Sequence, residues 1–301
     1  MAKVLLSIFA AAALLSTARA QLLTAPQGRG YALQHKFNPE AIRKLGISEI
    51  RSELELKKDG DRIRKSHREW VYRFDREGRT VLIAQIDKQR RDTLISAYQY
   101  AGNRLECEVK NEVSGMISYC YTYDKQGRPL EKRFARTAPW RNKMSQQLGN
   151  AAAQVDAAAE IQLESFRHEA FDLQLHSTLH NSSGRPYRKD IRYYNPDGQM
   201  EKYLQSFVMT STRHEELYSY NEAGLMSHLE VRRGKEPHLL SFEYDAQGSL
   251  LVEERHEDSE LRYHKEYVYE GPENLLRAEL LRRESEGLLE ITTYSYSYWE
   301  P

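Results

Sequence analysis

An all-β fold is predicted, built as one antiparallel meander of β-hairpins that forms a long twisted sheet, open or partly rolled, with a short capping helix near its N-terminus. Three observations carry this expectation. An aromatic residue followed by Asp or Asn, two variable residues and Gly recurs as Phe74-Asp75-Arg76-Glu77-Gly78, Tyr123-Asp124-Lys125-Gln126-Gly127, Tyr194-Asn195-Pro196-Asp197-Gly198, Tyr220-Asn221-Glu222-Ala223-Gly224 and Tyr244-Asp245-Ala246-Gln247-Gly248. The copies are spaced as a repeat: Gly198, Gly224 and Gly248 lie 26 and 24 residues apart, and a degenerate copy at Tyr100-Ala101-Gly102-Asn103 sits midway between Gly78 and Gly127. Aromatics also alternate ahead of the turns, as in Trp70-Tyr72-Phe74, Tyr119-Tyr121-Tyr123 and Tyr294-Tyr296-Tyr298, and alternate residues of a strand share one face.

Each motif is a turn between two strands. The Asx side chain caps the turn, and Gly takes the left-handed position after it. A period of about 24 residues then holds two strands, one tight turn and one looser return, the size of a β-hairpin unit.

Taken in order, residues 1–20 have the layout of a secretory signal peptide: Lys3, an apolar run from Val4 to Leu15, and small residues ending in Ala18-Arg19-Ala20 before Gln21. The apolar run is too short to span a bilayer, so no transmembrane segment is expected after cleavage. Residues 21–50 lack the motif. Within them Asn38-Pro39-Glu40-Ala41-Ile42-Arg43-Lys44-Leu45-Gly46 reads as a helix with Asn38 as N-cap, Pro39 in the first turn and Gly46 as terminator. Such a helix is expected to cover an open edge of the array. Residues 51–140 form a first set of hairpins and 166–301 a second. Between them, residues 141–165 form an alanine-rich insertion whose composition disfavours strand.

The copy Tyr123-Asp124-Lys125-Gln126-Gly127-Arg128-Pro129-Leu130 resembles the YD repeat of bacterial RHS-type cell-surface proteins. The resemblance spans roughly residues 50 to 300. It implies a repeat β scaffold of extracytoplasmic type and no catalytic residue; a toxin cargo like that of the large RHS shells is not expected.

Charge excludes some partners. Loss of Lys3 and Arg19 with the signal peptide leaves 42 basic against 44 acidic residues, so no electrostatic footprint for nucleic acid exists. High charge and 20 tyrosines fit a sheet with wet faces. Cys107 and Cys120 would face each other if a hairpin turns between Val113 and Ser114, and in an exported chain they are expected to form a structural disulfide.

The chemical motifs are sparse. His176 and His180 are spaced for one face, but no third ligand accompanies them, so no metal site is assigned. His214-Glu215-Glu216 and His256-Glu257-Asp258 read as polar strand faces or loops. Nucleophile elbow, P-loop and dinucleotide fingerprints are absent from the sequence, so no catalytic or cofactor-binding residue is nominated and no cofactor is expected. The expected role is a non-enzymatic repeat protein, exported to the periplasm or beyond the cell, acting as a structural or binding module towards a protein or glycan at the envelope. The alternative is a carbohydrate-binding or carbohydrate-active protein that stacks sugars on an exposed aromatic ladder.

Overall fold

A computed structural model of the chain describes residues 21–30, 35–112, 115–137, 159–210, 212–234 and 236–300. Residues 1–20, read above as a signal peptide, Val113-Ser114 and most of the 141–165 segment lie outside the described residues. The described chain holds one α-helix, α1 (Pro39–Leu45), and eighteen strands in a single antiparallel sheet, each strand paired with its neighbour in sequence.

The expectation of an open or partly rolled sheet is overturned, because the sheet closes into a barrel. The first strand, β1 (Ile47–Lys58), pairs with the last, β18 (Leu288–Tyr298), from Ile47 opposite Tyr298 to Lys58 opposite Leu288. Closure satisfies both edges that an open meander would leave unpaired. The helix consequently has no edge to cover. It forms as the sequence dictates, with the Asn38 side chain accepting from the Glu40 amide at 3.0 Å and Gly46 left-handed at φ 65°. Its place is the barrel rim: a Cβ on Gly78, in the first motif turn, would strike the Pro39 carbonyl.

An eighteen-stranded barrel is too wide for its own side chains to fill, and the N-terminal segment occupies part of the interior. Phe37 meets the rings of Tyr72, Phe74 and Tyr294 edge-on, with centroids 5.0, 5.9 and 6.2 Å away. On another side of the barrel, the Gly30 amide donates to Glu216 and to Tyr218, and Arg192 donates to the Gly30 carbonyl at 2.6 Å. A segment that touches walls so far apart in the strand order lies inside. Leu22, Leu23, Phe37, Ala41 and Ile42 share one buried cluster with wall residues Ile50, Tyr203, Phe242, Tyr267, Leu276 and Tyr294. The interior positions in this cluster are therefore buried, whereas composition had implied wet faces.

The outer face carries charged networks and, over the second to fourth strands, an apolar cluster of Val71, Leu82, Ala84 and Ile95. On β1 the buried residues Ile50, Ser52 and Leu54 alternate with exposed Arg51 and Glu53. Arg51 reaches Glu49 at 2.7 Å and Glu69 at 3.0 Å, and Arg73 reaches Glu49 at 2.8 Å. A third of the barrel away, Glu215 pairs with Lys202 and, at 3.5 Å, with Arg232.

Candidate functional site

The motif residues all serve turns at one rim. Asp75 shows the design: its carboxylate accepts from the Glu77 and Arg79 amides at 3.0 and 2.9 Å, and the Gly78 amide donates to the Asp75 carbonyl at 3.0 Å. Asp124, Asn195, Asn221 and Asp245 hold the same place, with Gly127, Gly198, Gly224 and Gly248 at φ of 76° to 86°. Cys107 and Cys120 lie directly opposite each other on β5 (Arg104–Glu112) and β6 (Gly115–Tyr123) and are joined by a disulfide, with Cα atoms 4.1 Å apart. These residues build the wall and its rim and form no binding constellation.

The aromatic ladder faces inward. Tyr72, Tyr203, Tyr218, Phe242, Tyr267 and Tyr294 are each at most 9% exposed, so these rings go into the barrel core, not into an open groove for sugar stacking. His214 and Glu216 are also interior. They are 4% and 2% exposed, with His214 Nε2 2.7 Å from Glu216 Oε1 and the Tyr218 hydroxyl donating to Glu216 Oε2 at 2.5 Å. The reading of His214-Glu215-Glu216 as a polar strand face or loop is met as to the strand, but two of the three residues face the interior. Glu215 faces outward, and alternation places its two neighbours inside. Among the described residues no group of three metal-ligating side chains could hold an ion.

The interior also holds a chamber of about 680 Å³ between the plug and strands β15 (Leu250–Glu257) and β16 (Glu260–Glu270). From the plug it is lined by residues 23–29 with His35 and Lys36, and from the wall by Leu250, Glu253, Lys265 and Tyr267. Register explains the wall: Glu253 lies opposite Lys265, and Tyr267 lies opposite Glu279 on β17 (Leu275–Arg283). Four charges thereby meet. Glu279 binds Lys36 at 2.6 Å and Lys265 at 2.8 Å. Glu253 accepts from the Tyr263 and Tyr267 hydroxyls at 2.5 and 2.8 Å, and Lys36 donates to the Tyr294 hydroxyl at 2.5 Å.

The electrostatics follow from sharing. Burial alone would raise the Glu279 carboxyl, but two adjacent ammonium groups override it and hold it at about 2. Lys36 is the weaker partner. Burial lowers its pKa, Glu279 opposes that fall, and nearby Lys265 adds repulsion. Burial likewise raises the Tyr267 hydroxyl far above the ordinary tyrosine value, with Glu253 adding to the shift, so it stays a proton donor. None of Lys36, Glu253, Lys265 or Glu279 belongs to a motif visible in sequence. The one local signal was the alternation Tyr263-x-Lys265-x-Tyr267, a lysine on the aromatic face of a strand.

No family model and no curated protein matches the chain. Among solved structures it is similar to a porin-like protein from Bacteroides uniformis, at 9% identity over 84% of this chain and 97% of that one, with a TM-score of 0.39. A LolA superfamily protein from Nitrosomonas europaea is similar at 10% identity over 87% of this chain and 92% of that one, with a TM-score of 0.22. A TcdB2-TccC3 structure is similar at 13% identity over 72% of this chain and 14% of that one, with a TM-score of 0.30.

Proposed function

We propose that this chain is exported and acts without catalysis as a binding module, a barrel standing in water that takes a small polar ligand into its interior. The chamber beside Lys36, Glu253 and Lys265 is the observation that carries the reading. Its size falls within the range of small-molecule sites, and its lining mixes apolar residues such as Leu23 and Leu250 with convergent polar groups. The signal-like residues 1–20 and the disulfide support an oxidising destination, the periplasm or the cell exterior. The Asx-Gly turns support descent from a YD-type hairpin, here closed on itself.

Charged side chains on the outer wall support water over lipid, and the apolar cluster of Val71, Leu82, Ala84 and Ile95 covers only the second to fourth strands of that face. A membrane barrel presents an apolar band outward, and each Arg or Lys at the bilayer midplane would cost roughly 2–4 kcal/mol. Arg51, Arg73, Lys202 and Arg232 all face out from this wall. No helix among the described residues is long and apolar enough to cross a membrane.

Two measurements test the proposal: vesicle flotation, and a thermal-shift panel of sugars, organic acids, amino acids and fatty acids. The protein is expected to stay out of vesicles and to be stabilised by a polar member of the panel. Insertion into vesicles, or stabilisation by fatty acids alone, would overturn it.

A further inference from the structure

Resting on that reading, we infer that the chamber between the plug and strands β15–β16 binds a hydroxycarboxylate of sugar-acid size, its carboxylate held by Lys36 and Lys265 and its hydroxyls by Gln27 and Glu253. Both ammonium groups border the chamber. Although Lys36 and Lys265 lie inside the barrel, 29% and 20% of their side chains remain accessible, because they face this space.

The wall has donors to spare. Each ammonium carries three N–H donors. Among the described residues Lys36 uses them on Glu279 and Tyr294, while Lys265 donates to Glu279 and lies 4.6 Å over the Tyr267 ring. At least one donor on each is left for the chamber. The carboxylates have less to offer a cation. Glu279 is engaged by both lysines, and both Glu253 oxygens already accept tyrosine hydroxyls. Counting Arg29, three basic side chains line or border the space against these two carboxylates. An incoming anion would complete the charge balance and oppose the lowering of the Lys36 pKa that burial, with Lys265 repulsion added, now causes.

Hydroxyls are required by the acceptors. The Gln27 side-chain oxygen lines the chamber and is buried without a hydrogen-bond partner. A buried acceptor left unmet is unfavourable, and a ligand hydroxyl would satisfy it. A carboxylate oxygen keeps its second lone pair when it accepts from tyrosine, so Glu253 can take a second hydroxyl. A simple anion would leave Gln27 unmet, and a neutral sugar would leave the lysines unmet. A fatty acid would bring its chain against Lys265, Glu253 and Gln27.

Calorimetric titration of the full mature chain with galacturonate, galactose and acetate separates the two halves of this chemistry. Galacturonate is expected to bind at least about tenfold more tightly than either of the others. Lys265→Gln and, independently, Gln27→Leu are each expected to weaken galacturonate by about tenfold. Gln27→Leu touches no ion pair, so it remains informative if Lys265→Gln fails to fold. Equal binding of galactose, equal binding of acetate, or no binding of galacturonate would each overturn the assignment, as would full affinity in the Gln27→Leu variant. If galacturonate fails while another polar compound of the panel stabilises a vesicle-free protein, the ligand class falls and the binding-module reading stands. Failure of the entire panel ends both.

Discussion

The hydroxyl of Tyr244 donates a 2.7 Å hydrogen bond to the carbonyl of Met226, tying the end of strand β14 (Glu236–Tyr244) to the start of its neighbour β13 (Met226–Arg233). The same link recurs from Tyr100 to Thr80, Tyr123 to Leu105, Tyr220 to Met200, Tyr269 to Leu250 and Tyr296 to Leu276. Three of these six tyrosines, Tyr123, Tyr220 and Tyr244, precede a motif Asx, and each of the six does more than bury a ring. Each fastens the end of one strand to the start of the strand before it, and together they run as a seam along the rim.

Tyr244→Phe keeps the ring and removes the link. The Met226 carbonyl is left without this donor, so a loss of about 1 kcal/mol is expected. Tyr100→Phe, far around the barrel, is expected to cost a similar amount, and the two losses should add. Urea unfolding of the single and double variants measures this; no loss in either single variant would show that the seam is ornamental to stability.

Gly78 and Gly198 share φ 79° but differ in surroundings. A Cβ at Gly198 meets open space, whereas one at Gly78 collides with the α1 carbonyl of Pro39 and lies 2.8 Å from the Arg43 amide. Gly198→Ala is expected to cost about 1 kcal/mol from left-handed strain alone. Gly78→Ala should cost clearly more, since helix or turn must move. Equal losses would mean that α1 does not press on this turn.

The disulfide closes a loop of 14 residues, from Cys107 to Cys120. In the chain-entropy account, Cys107→Ser with Cys120→Ser should lower stability by about 3 kcal/mol. Comparing the double variant with the reduced wild type separates loss of the crosslink from the effect of the serines. A double variant as stable as the oxidised protein would refute the estimate.

What was legible in the sequence was local. The five motif turns and the Asn38–Gly46 helix rest on residues within a few positions of one another, where turn and cap chemistry decide the backbone. Closure was not legible, because Ile47 opposite Tyr298 joins the two ends of the strand order and no local signal encodes that pairing. The interior site was hidden for the same reason. Lys36, Glu253, Lys265 and Glu279 come from three strands and a plug that only the closed barrel brings together. Alternation could at most assign Glu216 to the interior, and its buried partnership with His214 needed the plug to exclude water.

His264 sits on the outer face between Glu254, at 2.9 Å, and Glu266, at 3.1 Å. The hydrogen bond to Glu254 is the main cause of its raised pKa. A raised histidine contributes stability that is fully present below the unfolded value of 6.5 and lost as pH rises through the folded value. His264→Asn should therefore destabilise in mild acid and be close to neutral in alkali, by at most a few tenths of a kcal/mol to 1 kcal/mol for so accessible a group. Melting temperatures of both proteins across pH test the sign.

Glu279 gives the opposite slope, from inside the barrel. Its carboxyl is held at about 2 against an ordinary 4.5. Its contribution is present above 4.5 and is lost as pH falls from there towards 2, where the native carboxylate finally protonates. Glu279→Gln removes that acid-sensitive term but leaves Lys36 and Lys265 without their shared anion. Breaking a fully buried pair costs roughly 3–5 kcal/mol; with both lysines partly accessible to the chamber, about 2 kcal/mol at neutral pH is expected. The variant should thus be less stable than wild type at neutral pH, with the gap narrowing as pH falls below 4.5. Because Lys36 anchors the plug through this carboxylate, hydrogen exchange around residues 21–30 should rise in Glu279→Gln before the barrel strands are affected. Unchanged exchange there, with a gap that does not depend on pH, would show that Glu279 holds neither the charge nor the plug.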